Sequence, residues 1–230
     1  MHIESLLICG AKYGDNPIVP GRLTCTLVGA GKSRIFAIGA TTSPPSCAFL
    51  GNAGLISLAL RCFWQEGPRL RAKGFSDISS FDLSSATDRW PVVIILTVMT
   101  RVWGRATAEW FVFGSLWSNL FYVGRPLLRK VRVLHFTTGQ PLGYYGSWAL
   151  FSLSHHYLVW LAAYMVSPRR RSPFGRYALL GDYIVIADRA VAERYRELLG
   201  MLGVPISESK SIDSKTGALE FAKQGESSSS

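Results

Sequence analysis

The stretch YALLGDYIVIAD, residues 177–188, constrains the fold most. Two apolar runs flank Gly181-Asp182-Tyr183, and Gly and Asp both tolerate the positive φ of a tight turn. The stretch therefore reads as a β-hairpin whose arms are buried and whose tip lifts one carboxylate, Asp182. A carboxylate held at a hairpin tip suggests a metal site, and such sites usually draw on more than one acid.

The best second acid lies in FSDISSFDLSSATD, which reads as a strand ending at Asp82, with Asp88 displaced a turn or so beyond it. A third patch, Gly139-Gln140-Pro-Leu-Gly143 running to Ser147, reads as a flexible loop feeding a helix N-terminus. Singly these are weak: two Asp at this spacing occur by chance, and Gly-Asp is a common turn. In this order they fit phosphoryl transfer with two divalent metals, which activate an attacking hydroxyl and stabilise the leaving oxygen. Asp82 and Asp182, from adjacent strands, would supply the carboxylates; Asp88 would sit near the sugar of an incoming nucleotide.

The rest of the chain supplies a frame. The first 60 residues show Gly and Pro punctuation and no clean period, with a strand expected at 33–38 and a helix at 55–64. Pro91 is expected as the first helical residue, Thr87 or Asp88 near the cap and Gly104 as the stop, although VVIILTVMT is strand-like by propensity. Further expectations are a helix at 106–120, a strand in VRVLHF and a helix at 147–166 with Ser147 as N-cap. A helix at 189–202 stopped by Gly203 follows, then a last strand or turn in GALEFAKQ and a low-complexity, disordered tail. This order is α+β: a small sheet covered on one face by helices.

Composition narrows the partners. Lys and Arg number 25 against 15 Asp and Glu, a net charge of +10. Such a surplus favours a polyanion, either nucleic acid or an anionic membrane face. Three basic clusters, around Arg69–Lys73, Arg125–Arg132 and Arg169–Arg176, carry interleaved aromatics and raise the nucleic-acid reading. Four cysteines with no Cys-x-x-Cys pair read as reduced thiols. The N-terminus is neither a secretory signal nor an Arg-rich transit peptide, so the protein is expected in the cytosol or made inside its own compartment. Two motifs mislead. VGAGKS at 28–33 is half a phosphate loop, but position 26 is Thr where the pattern needs Gly. Residues 142–166 are long and uncharged enough to span a bilayer, yet His155-His156 and several serines favour a buried helix over a small membrane protein.

SFDLSSATDRWP, TTGQPLGYYGSWALFSLSHH, YALLGDYIVIAD and GVPISESKS with LEFAK resemble consecutive palm motifs of mitovirus RNA-dependent RNA polymerases, and in particular the copies found in plant mitochondrial genomes. The resemblance covers 75–223, and GKSRIFAIG at 31–39 is similar to the family's basic fingers motif. It implies a partial fingers-like segment at 1–74, a polymerase palm at 75–223, a disordered tail at 224–230 and no thumb. It implies metal binding by Asp82 and Asp182, with Mg²⁺ or Mn²⁺ as cofactor, and ribose recognition by Asp88. Arg34 and Lys210 would meet the triphosphate, Lys210 alternatively donating a proton. Gly139, Gln140 and Ser147 would grip template and nucleotide. RNA template and ribonucleoside triphosphates are the implied partners, and the mitochondrion the implied location.

The resemblance breaks at two residues. The family's hairpin motif is Gly-Asp-Asp, and Tyr183 stands at the second Asp. A phenol titrates near 10 and is a poor Mg²⁺ ligand at pH 7. Gly146 also replaces the Ser usual before Ser147-Trp148. The expectation is a truncated polymerase, catalytically impaired; the alternative is a non-catalytic viral remnant with weak RNA binding.

Overall fold

Alternation and capping place most of the secondary structure. The computed structural model describes residues 6–8, 21–28, 32–39, 77–113, 120–136, 138–140, 147–214, 219–221 and 224–226. In chain order these form β1 (Leu6–Ile8), β2 (Gly21–Val28), β3 (Lys32–Gly39), β4 (Ile78–Asp82), α1 (Ala86–Arg89), α2 (Val92–Trp103), α3 (Arg105–Phe111), β5 (Leu120–Val123), β6 (Arg132–Phe136), α4 (Ser147–Val166), β7 (Tyr177–Leu180), β8 (Tyr183–Ile186), α5 (Arg189–Leu202), a 3-10 turn (Glu208–Lys210), β9 (Ile212–Ser214), β10 (Leu219–Phe221) and β11 (Gln224–Glu226). The chain divides into two compact units, one from Met1–Ala53 and Thr87–Leu150, the other from Gly54–Ala86 and Phe151–Ser230.

The first unit holds a five-stranded sheet in the order β1-β6-β5-β2-β3, antiparallel except where β2 meets β5. Leu23, Ala37, Phe121, Val123, Leu134 and Phe136 form its core, with Phe121 edge-on to Phe136 at 5.4 Å. VGAGKS spans the end of β2 and the start of β3, two antiparallel neighbours, so it joins strands and does not open a helix as a phosphate loop must. α2 forms despite its β-branched residues because Val92, Ile94, Ile95, Val98 and Met99 make one buried face at helical spacing.

Several expectations shift. Pro91 is the N-cap of α2, in extended conformation, and Asp88 lies in the short helix α1 before it. The helix expected at 106–120 is shorter: α3 ends at Phe111, and Leu120 opens β5, whose Phe121 is buried in the sheet core. Ser147 is the first residue of α4, not a cap outside it. Residues 224–226, expected in a disordered tail, pair antiparallel with β10, since backbone pairing needs no apolar side chain. The helix expected at 55–64 lies outside the described residues.

The second unit is built on a four-stranded antiparallel sheet, β7-β8-β4-β9. Asp82 stands opposite Tyr183, Phe81 opposite Ile184, and Leu179 opposite Ile184 on the other side. Residues directly opposite share a face. Phe81, Ile184, Ile186, Leu179 and Tyr177 therefore form one face, met by the helices: Tyr195 of α5 packs on Phe81 at 5.6 Å, and His156 of α4 bonds the Tyr177 hydroxyl at 2.7 Å. The other face carries Asp82, Tyr183 and a small apolar cluster of Ile78, Ala178 and Val185 with Ala187. α5 is capped by Asp188, whose side chain accepts from the Val191 amide at 3.2 Å and pairs with Arg176. α4 is long and apolar enough to cross a membrane, but 61% of its most apolar window is buried, as the core-helix reading expects.

Phe81 is 1% exposed, so Phe81→Ala should cost about 3–5 kcal/mol of stability in urea unfolding. Val93, on the open side of α2 at 66% exposure, serves as the control; Val93→Ala should stay within about 0.5 kcal/mol.

Candidate functional site

The carboxylates at 82 and 182 stand on neighbouring elements of the second unit. Asp82 is the last residue of β4 and only 8% exposed. Its carbonyl accepts from the Ser207 amide at 2.8 Å, and its own amide donates to Ser211 Oγ at 3.4 Å. Asp182 sits exposed in the β7–β8 turn beside Gly181, whose φ of 63° suits a residue without Cβ. The Leu83 amide donates to the Asp182 carbonyl at 2.9 Å, tying the turn to the chain leaving β4.

Lys210 joins the two acids electrostatically. Its Nζ donates to Asp82 Oδ2 at 2.9 Å. Its pKa is raised above the ordinary lysine value, first by that hydrogen bond, then by the Asp82 charge, and to a smaller degree by Asp182. Tyr183 is half-buried opposite Asp82, its hydroxyl oxygen shielded from solvent. Two carboxylates suit a hard divalent cation that takes its remaining ligands from substrate phosphates and water. No cluster of three or more His, Cys, Asp or Glu side chains occurs among the described residues, so a closed all-protein metal cage is not what these side chains form.

Two histidines that sequence reasoning treated only as polar interruptions of α4 contact the hairpin that carries this turn, His155 at the turn itself and His156 at Tyr177. His155 Nδ1 lies 3.0 Å from the Gly181 carbonyl, and its Nε2 meets the Tyr195 hydroxyl. Burial pushes His155 down to about 3 and His156 down to about 4. No local signal marks such contacts, because the partners lie 26 and 40 residues away.

The remaining predicted residues lie in the first unit. Gly139 has φ of 73°, and a Cβ there would fall 2.1 Å from the Asp88 carbonyl oxygen. The next amide, of Gln140, donates to the Thr87 carbonyl at 2.8 Å. These contacts hold the loop against the backbone of α1, where Asp88 is buried. Gln140 is fully buried, and neither its amide nitrogen nor its amide oxygen has a hydrogen-bond partner among the described residues. Ser147 is buried at the start of α4, and the backbone of Arg34 in β3 stands opposite Thr26 of β2. The structure thus gathers Asp82, Asp182, Tyr183 and Lys210 in one unit, and Asp88, Gly139 and Gln140 in the other.

The sequence profile of the family described as Mitovirus RNA-dependent RNA polymerase matches residues 20–227. The chain belongs to that family. The RNA-directed RNA polymerase of Cryphonectria parasitica mitovirus 1 is 33% identical to it over 217 residues, 90% of this chain and 25% of the viral enzyme. Two uncharacterised mitochondrial proteins of Arabidopsis thaliana are also similar. One is 54% identical over 164 residues, covering 70% of this chain and 65% of that protein; the other is 46% identical over 151 residues, covering 65% and 73%. This member of the mitovirus polymerase family therefore spans only part of its longer relatives. Among solved structures, a Candida tropicalis telomerase truncated from its C-terminal domain matches with a TM-score of 0.57 at 9% identity, over 92% of this chain and 52% of that one. The Candida albicans telomerase, solved with a fragment of telomeric RNA, matches at 0.59 and 8%, over 96% and 46%. At such identities the likeness is one of fold.

Two outcomes follow from the geometry. Unfolded histidine titrates near 6.5, and both buried histidines lie below it, so the unfolded chain binds more protons between pH 6.5 and about 3 to 4. Stability is therefore full above pH 6.5 and falls as the pH drops through that window. Between pH 7.5 and 5 the loss should be about 3–4 kcal/mol, read as a falling urea midpoint; a flat midpoint would contradict two neutral buried rings. Gly139→Ala meets both a positive φ and a backbone atom, so it should cost about 3 kcal/mol or more in thermal or urea unfolding.

Proposed function

We propose that this chain carries the palm of an RNA-templated RNA polymerase, at 75–223, with a partial fingers-like segment before it, working on RNA template and ribonucleoside triphosphates in the mitochondrion. The observation that carries the reading is the placement of Asp82 and Asp182 on adjacent strand ends, with Lys210 bound to Asp82 and within electrostatic reach of Asp182. Family membership and the mitochondrial relatives support it.

In this reading Asp82 and Asp182 hold Mg²⁺ or Mn²⁺. The cation, when bound, supplies Lewis-acid activation of the primer hydroxyl and stabilises the leaving oxygen. Lys210 is exposed and flexible enough to leave Asp82 and meet the triphosphate, or to pass a proton to the departing pyrophosphate. Asp88 reads the ribose 2′-hydroxyl. Gln140 offers an amide that is buried without a partner among the described residues, as suits a group that pairs with template or nucleotide. Gly139 lets the loop approach α1, Ser147 opens the helix behind it, and Arg34 on β3 meets the triphosphate.

Tyr183 weakens this site. It presents a neutral phenol on the face of the sheet that carries Asp82, where the family motif has a second acid. Losing one good ligand contact is worth several kcal/mol of transition-state stabilisation, about three decades of rate. The second reading, a non-catalytic family member that binds RNA weakly, draws on Arg125, Arg129, Lys130 and Arg132, all exposed, and on the exposed ring of Tyr122.

Primer extension with Mg²⁺ or Mn²⁺ separates the readings. Tyr183→Asp should extend at least ~10-fold faster than the natural chain, and Asp182→Ala should abolish extension. Equal rates for the natural chain and Tyr183→Asp would remove the tyrosine as a cause. No extension in any form, with RNA affinity that falls steeply with salt, would favour the binding reading.

A further inference from the structure

We infer that His155 is a positioning residue for Asp182: from α4 it holds the peptide group on the N-terminal side of the turn aspartate, while the Leu83 amide holds the one on its C-terminal side. This rests on the reading of Asp182 as a metal-site carboxylate, and adds the means by which that carboxylate is aimed.

The direction of an Asp side chain is set by the two peptide planes that meet at its Cα. At Asp182 both are tied. His155 Nδ1 lies 3.0 Å from the Gly181 carbonyl, and the Leu83 amide donates to the Asp182 carbonyl at 2.9 Å. The Gly181 carbonyl can only accept, so Nδ1 carries the proton. Nε2 of the neutral ring must then accept, and the Tyr195 hydroxyl donates to it. One arrangement of protons satisfies the whole chain of contacts.

Tyr195 extends the brace to the other acid. Its ring stacks on His155, with centroids 5.9 Å apart, and packs on Phe81 at 5.6 Å. Phe81 is the residue immediately before Asp82. One buried phenol therefore touches both the ring that holds the Gly181 turn and the strand that delivers Asp82. Both nitrogens of this buried ring are used, one on the turn carbonyl and one on a second buried hydroxyl, so the ring's orientation is fixed at both ends.

Two substitutions in the full chain separate positioning from packing. His155→Asn places an amide nitrogen where Nδ1 lies and can keep the bond to Gly181. His155→Gln places its polar atoms toward Tyr195 and loses that bond. The reporter is hydrogen exchange of the Leu83 amide relative to the Ile184 amide in β8, with Mn²⁺ binding measured in parallel. His155→Gln should speed Leu83 exchange about 5- to 10-fold over Ile184 and weaken Mn²⁺ binding by a similar factor, the value of one hydrogen bond. His155→Asn should stay within about 2-fold of the natural chain on both readouts, and Tyr195→Phe should fall between them. If His155→Gln and His155→Asn move Leu83 and Ile184 alike, or neither moves Leu83, His155 is a packing residue and the inference is wrong. Absence of Mn²⁺ binding in the natural chain, with the exchange pattern as expected, would instead count against the metal-site reading while the brace stands.

Discussion

Everything at the candidate site hangs on the register between β4 and β8. With Asp82 opposite Tyr183, Phe81 and Ile184 turn toward the helices and Asp82 turns to the other face. A slip of one residue would reverse every side chain of β4, sending Phe81 outward and the carboxylate into the apolar side. Phe81 and Ile184 are both essentially fully buried, and each contributes about 2–3 kcal/mol through that burial. The same contacts that stabilise the sheet therefore fix where the acid points, so fold stability and site geometry are one constraint.

The sequence was most legible where local chemistry decides structure. The β7–β8 hairpin follows from two apolar runs around Gly-Asp, and α5 from a regular apolar face between Asp188 and Gly203. In the first sheet β3 and β6 were expected, but β2 was missed although its sequence, GRLTCTLV, alternates Leu23 and Leu27 with Arg22, Thr24 and Thr26. Surrounding Gly and Pro obscure that period; β2 pairs along its length with the neighbouring β3, while its second partner β5 lies about one hundred residues on, beyond any local signal. The helix expected at 106–120 overran its end: Leu120 opens β5, whose Phe, Tyr and Val suit a strand and whose Phe121 is buried in the sheet core.

The site itself was legible in its acids and opaque in its supports. Asp82 and Asp182 were expected from motif order and Lys210 from the family resemblance, and the three lie in one unit, with Lys210 on Asp82. The contacts that hold them, from Ser207, Ser211, Leu83 and His155, are long-range backbone and side-chain bonds with no motif of their own. The ammonium on Asp82 also bears on the proposed weakness of the site. A lysine that stabilises one carboxylate competes with any cation sought by the pair, and with a phenol at 183 there is one acid fewer to outbid it.

The partners of the α4 histidines also have a direction in time. His155 and His156 bond Tyr177, Gly181 and Tyr195, all later in the chain than the helix itself. A chain made from its N-terminus completes α4 before any of these groups exists. For that interval α4 is a long, uncharged helix with two imidazoles and no partner for them downstream. Those imidazoles make a lipid environment costly just when the helix is most exposed to one, and they lose that character only when the hairpin and α5 arrive to bond them. The groups that tie the finished fold together are thus, until their partners arrive, two polar rings that the helix could carry into lipid only at a cost.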